Sequence, residues 1–154
     1  MFMKWFVAKT RRFVALAIAI LLVGATGCSH FNRDWRRAGV ALPAAGSVEG
    51  RWEGMWESDV NHHHGKLRCL LTQETNSTYK AQFRATFVGI LKYRYTAHFE
   101  MQPHATLGWE FNGEANLGRL AGGSYYYEGR ATPTNMISIY RSKYDHGTFD
   151  LHRP

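Results

Sequence analysis

A period of two runs through most of this chain and constrains its fold more than any other feature. Tyr79, Ala81, Phe83, Ala85 and Phe87 alternate with Lys80, Gln82, Arg84 and Thr86, and from Leu91 to Met101 apolar residues again alternate with charged or polar ones. That alternation is the pattern of a strand with one face in a core and the other in water. Val88-Gly89-Ile90 between the two runs reads as a tight hairpin turn. Trp109, Phe111, Gly113, Ala115 and Leu117 continue the pattern. Weaker strands are expected over Arg51–Ser58, Lys66–Gln73, Ser124–Ala131, Met136–Ser142 and Thr148–His152, with Gly122-Gly123 marking a bulge or turn. The facing of Met136–Ser142 is left open by its residues.

Eight short strands with no helix to cover an open sheet predict an all-β fold, a closed antiparallel up-and-down barrel or a sandwich. Short connections throughout favour the barrel. One face of each strand is charged and the other aromatic, so the apolar face is expected inside. That is the opposite of an outer-membrane barrel, which turns apolar residues to lipid.

The N-terminus carries a different signal. Lys4, Lys9, Arg11 and Arg12 precede an apolar stretch, Phe13 to Val23, and then Gly24, Ala25, Thr26 and Gly27 lead to Cys28. This is the order of a secretory signal peptide. As a helix, Phe13 to Gly27 would reach only ~22 Å against a hydrocarbon core of ~30 Å, short for a membrane span. Ala25-Thr26-Gly27-Cys28 resembles the lipobox of bacterial lipoproteins, which implies cleavage before Cys28 and lipid on its sulfur. Cleavage by an ordinary signal peptidase is the alternative. Ser29 after the cysteine, by resemblance to enteric lipoproteins, implies outer-membrane sorting. The expected organisation is a signal peptide over 1–27, a lipidated N-terminus and tether over 28–48, and a barrel over 49–154. The address is the cell envelope, membrane-anchored and facing the periplasm. Asn32 to Ala38 is expected to form one short helix with Asn32 as N-cap, ended by Pro43.

Four of the nineteen Lys and Arg lie in that leader, which leaves fifteen against twelve acids, a net of +3. So small a surplus gives no reason to expect a nucleic-acid partner. With Cys28 acylated, Cys69 has no internal disulfide partner and reads as a small buried side chain.

The barrel pattern resembles the calycins, the lipocalin and avidin-like group. The residues that carry the resemblance are Gly50-Arg51-Trp52, echoed by Gly54-Met55-Trp56, and the closing Gly147-Thr148-Phe149-Asp150-Leu151-His152-Arg153. The resemblance implies that Trp52 lies across a closed end with Arg153 packed on it. The lipocalin T-D-Y motif and C-terminal helix are missing. The same opening and ending also resemble a small family of bacterial lipoproteins.

An eight-stranded barrel either fills itself with side chains or holds one small ligand. Large inward residues alternate with Gly and Ala, as a solid core requires. The tyrosines argue for a wet cavity, because a buried phenol needs a partner. The expected lining of a site for a hydrophobic or amphiphilic small molecule is Trp52, Trp56, Tyr93, Tyr95, Trp109, Tyr125 and Tyr127. Outside, if Phe87 pairs with Leu91 and Leu71 with Ala81, then Arg68, Arg84 and Arg94 form one row across three strands. Pairing of Phe99 with Trp109 would set Glu114 beside Arg94. Such a row suits an anionic envelope component. His62-His63-His64 reads as a solvated turn, since successive residues rarely aim three rings at one ion. No cofactor motif stands out. Nor do paired carboxylates or a nucleophile motif, so a binding or envelope-interaction protein is expected rather than an enzyme.

Overall fold

In a computed structural model, the residues described are 30–40, 43–87, 89–106, 108–119 and 122–154. The expected signal peptide and Cys28 fall outside them, as does Val88 of the expected hairpin turn.

The chain divides into a unit ending at Arg37 and a second unit, Ala38–Pro154. A helix covers residues 30–38, all but its last residue in the first unit, so it includes Asn32 rather than starting after it as a cap. Phe31 and Trp35, one helical turn apart, stack with ring centres 5.8 Å apart.

The second unit is all β. Its strands are β1 Gly50–Ser58, β2 His64–Gln73, β3 Thr78–Phe87, β4 Leu91–His104, β5 Gly108–Asn116, β6 Ser124–Ala131, β7 Asn135–Arg141 and β8 His146–His152. Each pairs antiparallel with the next, and β1 pairs with β8, closing an eight-stranded up-and-down barrel. The register follows the alternation. Phe87 pairs with Leu91 and Leu71 with Ala81, which puts the apolar faces of β2, β3 and β4 inside. Neighbouring backbone comes close where glycine faces inward. At Gly54 a Cβ would collide with the Asp150 carbonyl of β8.

One expected pairing is different. Phe99 faces Gly113, and Trp109 faces Pro103. Strand β4 runs on past Met101 to His104, and Gly108, at φ 86°, starts β5 after a later turn. The large Phe99 ring therefore lies over a residue with no side chain. Glu114 is moved opposite His98 and away from Arg94. The facing of β7, ambiguous in sequence, is Met136, Ser138 and Tyr140 inward and Ile137 and Ile139 outward.

The core is not uniform along the barrel. Phe83 and Phe99 are fully buried at its middle, and Phe99 stacks on Phe111 at 4.6 Å. Trp52, also fully buried, lies towards the end where Val48 enters β1, and its indole N–H donates to the Val48 carbonyl at 2.9 Å. Arg153 covers the same ring, its guanidinium carbon 4.0 Å from the ring centre. It donates to the carbonyls of Ser47, Glu49 and Pro133 at 2.8, 2.6 and 2.9 Å. Residues 47–49, expected to be the end of a spacer and the first of the barrel, are thus a strap tied across this end. That end is closed.

Candidate functional site

The opposite end is open. Four hairpins rim it: β1–β2, β3–β4, β5–β6 and β7–β8. Between them lies a cup of about 550 Å³ whose wall includes Trp56, Phe87, Tyr93, Tyr95, Tyr125 and Tyr140. The volume lies within the usual range for small-molecule sites, ~300–1,000 Å³. Its floor is the filled core. Tyr95 lies flat on Phe83 at 4.9 Å, and Tyr127 stacks on the same ring at 6.3 Å.

Each wall residue comes from the inward register of its strand. Trp56 faces Gly65, Tyr93 faces Ala85, Tyr125 faces Ala115 and Tyr140 faces Gly147. The small partner leaves room for the ring beside it. The polar tips are tied to the wall. The Trp56 indole N–H donates to the Thr86 carbonyl at 3.1 Å, the Tyr93 hydroxyl to Leu117 at 2.9 Å and the Tyr140 hydroxyl to Glu57 at 3.2 Å. Tyr95 and Tyr127 hydrogen-bond to each other. Burial holds the hydroxyls of Tyr95, Tyr127 and Tyr140 above the ordinary phenol range, and the nearby Asp145 carboxylate adds to the effect at Tyr140.

Among the described residues, two charged ones line the cup, Lys92 and Asp145. Lys92 is exposed, on the outward register of β4 opposite Thr86. Asp145 is half-buried in the β7–β8 turn, and its Oδ1 accepts a 2.6 Å hydrogen bond from the fully buried Ser58.

Of the residues expected to line a ligand site, the structure brings together Trp56, Tyr93, Tyr95, Tyr125 and Tyr127. Trp52 and Trp109 do not join them: Trp52 plugs the closed end, and Trp109 packs edge-on against Tyr79. Both share the inward face, but a period of two does not tell one end of a strand from the other. Phe87, Tyr140 and Asp145 were missed as cup residues. Tyr140 could have been found by parity. Inward Ala131 pairs with Met136 across the β6–β7 turn, which turns Tyr140 inward as well.

On the outside, Arg68 pairs with Arg84 and Arg84 with Arg94, the expected row. The acid at its end is Glu53, opposite Arg68 at 3.3 Å, on the other side from the one expected. A groove of about 500 Å³ runs beside the row, with Lys66, Arg68, Arg84 and Lys92 on it. The β1–β2 turn holds His62 at φ 57°, and His63 packs edge-on against Phe87 at 5.0 Å. No group of three possible metal ligands is gathered among the described residues. Cys69 is fully buried, and burial pushes its thiol well up from the ordinary range, which keeps it protonated and unreactive.

No family model matches this sequence, and no curated protein matches it. Among solved structures the chain is similar to a de novo designed fluorescence-activating β-barrel, with a TM-score of 0.52 and 14% identity. The match covers 74% of this chain and 100% of the designed one. At that identity the likeness concerns the fold alone.

Proposed function

We propose that this protein is a lipid-anchored, calycin-like barrel of the cell envelope that binds a small hydrophobic or amphiphilic molecule in its open-end cup, without catalysing a reaction on it. The observation that carries this reading is the cup itself, walled by aromatic rings over a solid floor. A ligand of ~20 heavy atoms at ~0.3 kcal/mol per atom would gain ~6 kcal/mol, a Kd in the tens of micromolar. Amphiphilic fluorophores titrated through that range should bind saturably and change Trp56 emission. Ala85→Phe, which puts a ring into the cup, should abolish binding while the far-UV circular dichroism stays that of a β-barrel. Failure of every probe to saturate would end the reading. The anchor rests on the order of positive, apolar and small residues before Cys28. Cys28→Ser should lose incorporated palmitate, and a mutant that still labels and sediments with membranes would refute it.

The arginine row supports a second reading, contact with an anionic envelope component through the outer face of β2, β3 and β4. Like charges directly opposite one another cost a sheet stability, so the row stands out against a neutral surface. Arg84→Ala should weaken adsorption to phosphatidylglycerol vesicles and leave binding in the cup unchanged.

A further inference from the structure

From the donor and acceptor inventory of the cup, we infer that its ligand is a small organic cation, an amine or quaternary ammonium carried on an aromatic body. The inference rests on the binding reading above and narrows it to one chemical class.

The cup's own donors are largely committed to the wall. The Trp56 indole N–H, the Tyr93 hydroxyl and the Tyr140 hydroxyl each donate to a backbone carbonyl. The Ser58 hydroxyl donates to Asp145, and the Tyr95 hydroxyl donates to Tyr127, a single bond that takes one of those two protons. A ligand that mainly accepts hydrogen bonds would find most of these protons taken. What the wall offers is phenol lone pairs, aromatic faces and the Asp145 carboxylate. All of these are negative. Aromatic faces attract a cation within ~6 Å of the ring centre through their quadrupole, and assembled rings are a recognised site for ammonium groups.

The two charges of the lining are not equivalent. Lys92 is exposed and stands on the outward register, where water and salt screen it. Asp145 is half-buried and anchored by the buried Ser58. Its charge reaches far enough into the wall to hold up the Tyr140 hydroxyl. The acid is therefore the less screened of the two, beside rings that already favour positive charge. The cations of Lys66 and Arg84 border the groove on the outer side of the sheet.

Three naphthyl probes of one size test this: 1-naphthylmethylamine, 1-naphthylmethanol and 1-naphthoate, followed by fluorescence anisotropy on the full-length protein in detergent. The amine should bind at least tenfold tighter than the alcohol, and the carboxylate weakest. Asp145→Asn should bring the amine down to the alcohol's affinity and leave the alcohol unchanged. Ser58→Ala removes the anchoring hydroxyl but keeps the charge, and should retain most of the preference. Equal binding of amine and alcohol by the wild-type protein would overturn the inference while leaving the cup reading intact. Tightest binding of the carboxylate would do the same and would identify Lys92 as the dominant charge. Absence of saturable binding by all three would overturn the cup reading and the inference together. Should Asp145→Asn not fold, the wild-type ranking decides alone, and Lys92→Gln must not weaken the amine.

Discussion

Truncating Arg153 to alanine removes a guanidinium that holds the closed end together from one side chain. It stacks on Trp52 at 4.0 Å and donates to carbonyls on the strap, 2.8 Å at Ser47 and 2.6 Å at Glu49. A third bond, to Pro133, is exposed to solvent, and a contact with Arg51 is long at 3.3 Å, so neither adds much. Two charged hydrogen bonds at ~1.5 kcal/mol each and a cation–π contact of ~1 kcal/mol sum to a loss of ~4 kcal/mol. Desolvation, which already lowers the Arg153 pKa, offsets part of that gain and brings the expected loss to ~3 kcal/mol. With a urea m-value of ~2 kcal/mol/M, the midpoint should fall by ~1.5 M at constant m. Arg153→Lys keeps the charge but not the fork of donors and should recover less than half. A double-mutant cycle with Trp52→Phe should show the two residues coupled. Probe binding at the far end of the barrel should not change in either mutant. A midpoint shift under ~0.5 M, or full recovery by lysine, would refute the reasoning.

Two other outcomes are expected. Burial raises the hydroxyls of Tyr95, Tyr127 and Tyr140 above the unfolded phenol value, so their contribution is intact below ~pH 10 and is lost as the pH rises further, because the unfolded chain releases its protons first. Stability should fall by ~4 kcal/mol per pH unit there, at ~1.4 kcal/mol for each of the three tyrosines, with the tyrosinate absorbance of these residues appearing only on unfolding. Tyr140→Phe breaks the bond to the Glu57 carbonyl and frees the ring to swing over the cup; probe affinity should drop several-fold, and a crystal structure of the variant should show the ring displaced.

Strand placement was legible because most strands have one polar or charged face and one apolar face. A strand whose two faces are both apolar carries no such mark. In β7, Met136 and Ile137 are equally good inward candidates, and only the pairing of Ala131 with Met136 decides between them. The β4–β5 register was misread for a related reason: Phe99 opposite Trp109 and Phe99 opposite Gly113 both keep the apolar faces together. Length decides, because β4 continues through Pro103 to His104 before it turns. Asp145 illustrates a different limit. It sits in a turn with no period, and its place in the cup depends on closure between β1 and β8, which brings Ser58 within 2.6 Å of it. No local pattern of residues encodes a contact across that seam.

Why one barrel is solid at its middle and open at one end follows from which aromatic residues carry a polar tip. Both regions pair large rings with small partners: Phe99 with Gly113 and Phe111 with Gly129 in the core, Tyr93 with Ala85 and Tyr140 with Gly147 in the cup. Size pairing alone would therefore fill both. Phenylalanine has nothing to satisfy but contact area, so Phe83, Phe99 and Phe111 converge on one another. Tyrosine and tryptophan must place an O–H or N–H on an acceptor. Near the rim, the acceptors lie in the wall, at Thr86, Leu117 and Glu57, and the rings are drawn back against the strands that supply them. The same rule accounts for Trp52, whose N–H finds its acceptor in the strap at Val48 and so draws the ring across the closed end. Tyr95 and Tyr127, one step deeper, bond to each other and form the boundary. Phe83, Phe99 and Phe111 mark the filled part of this barrel, and ring hydroxyls and indoles tethered to wall carbonyls hold the cup open.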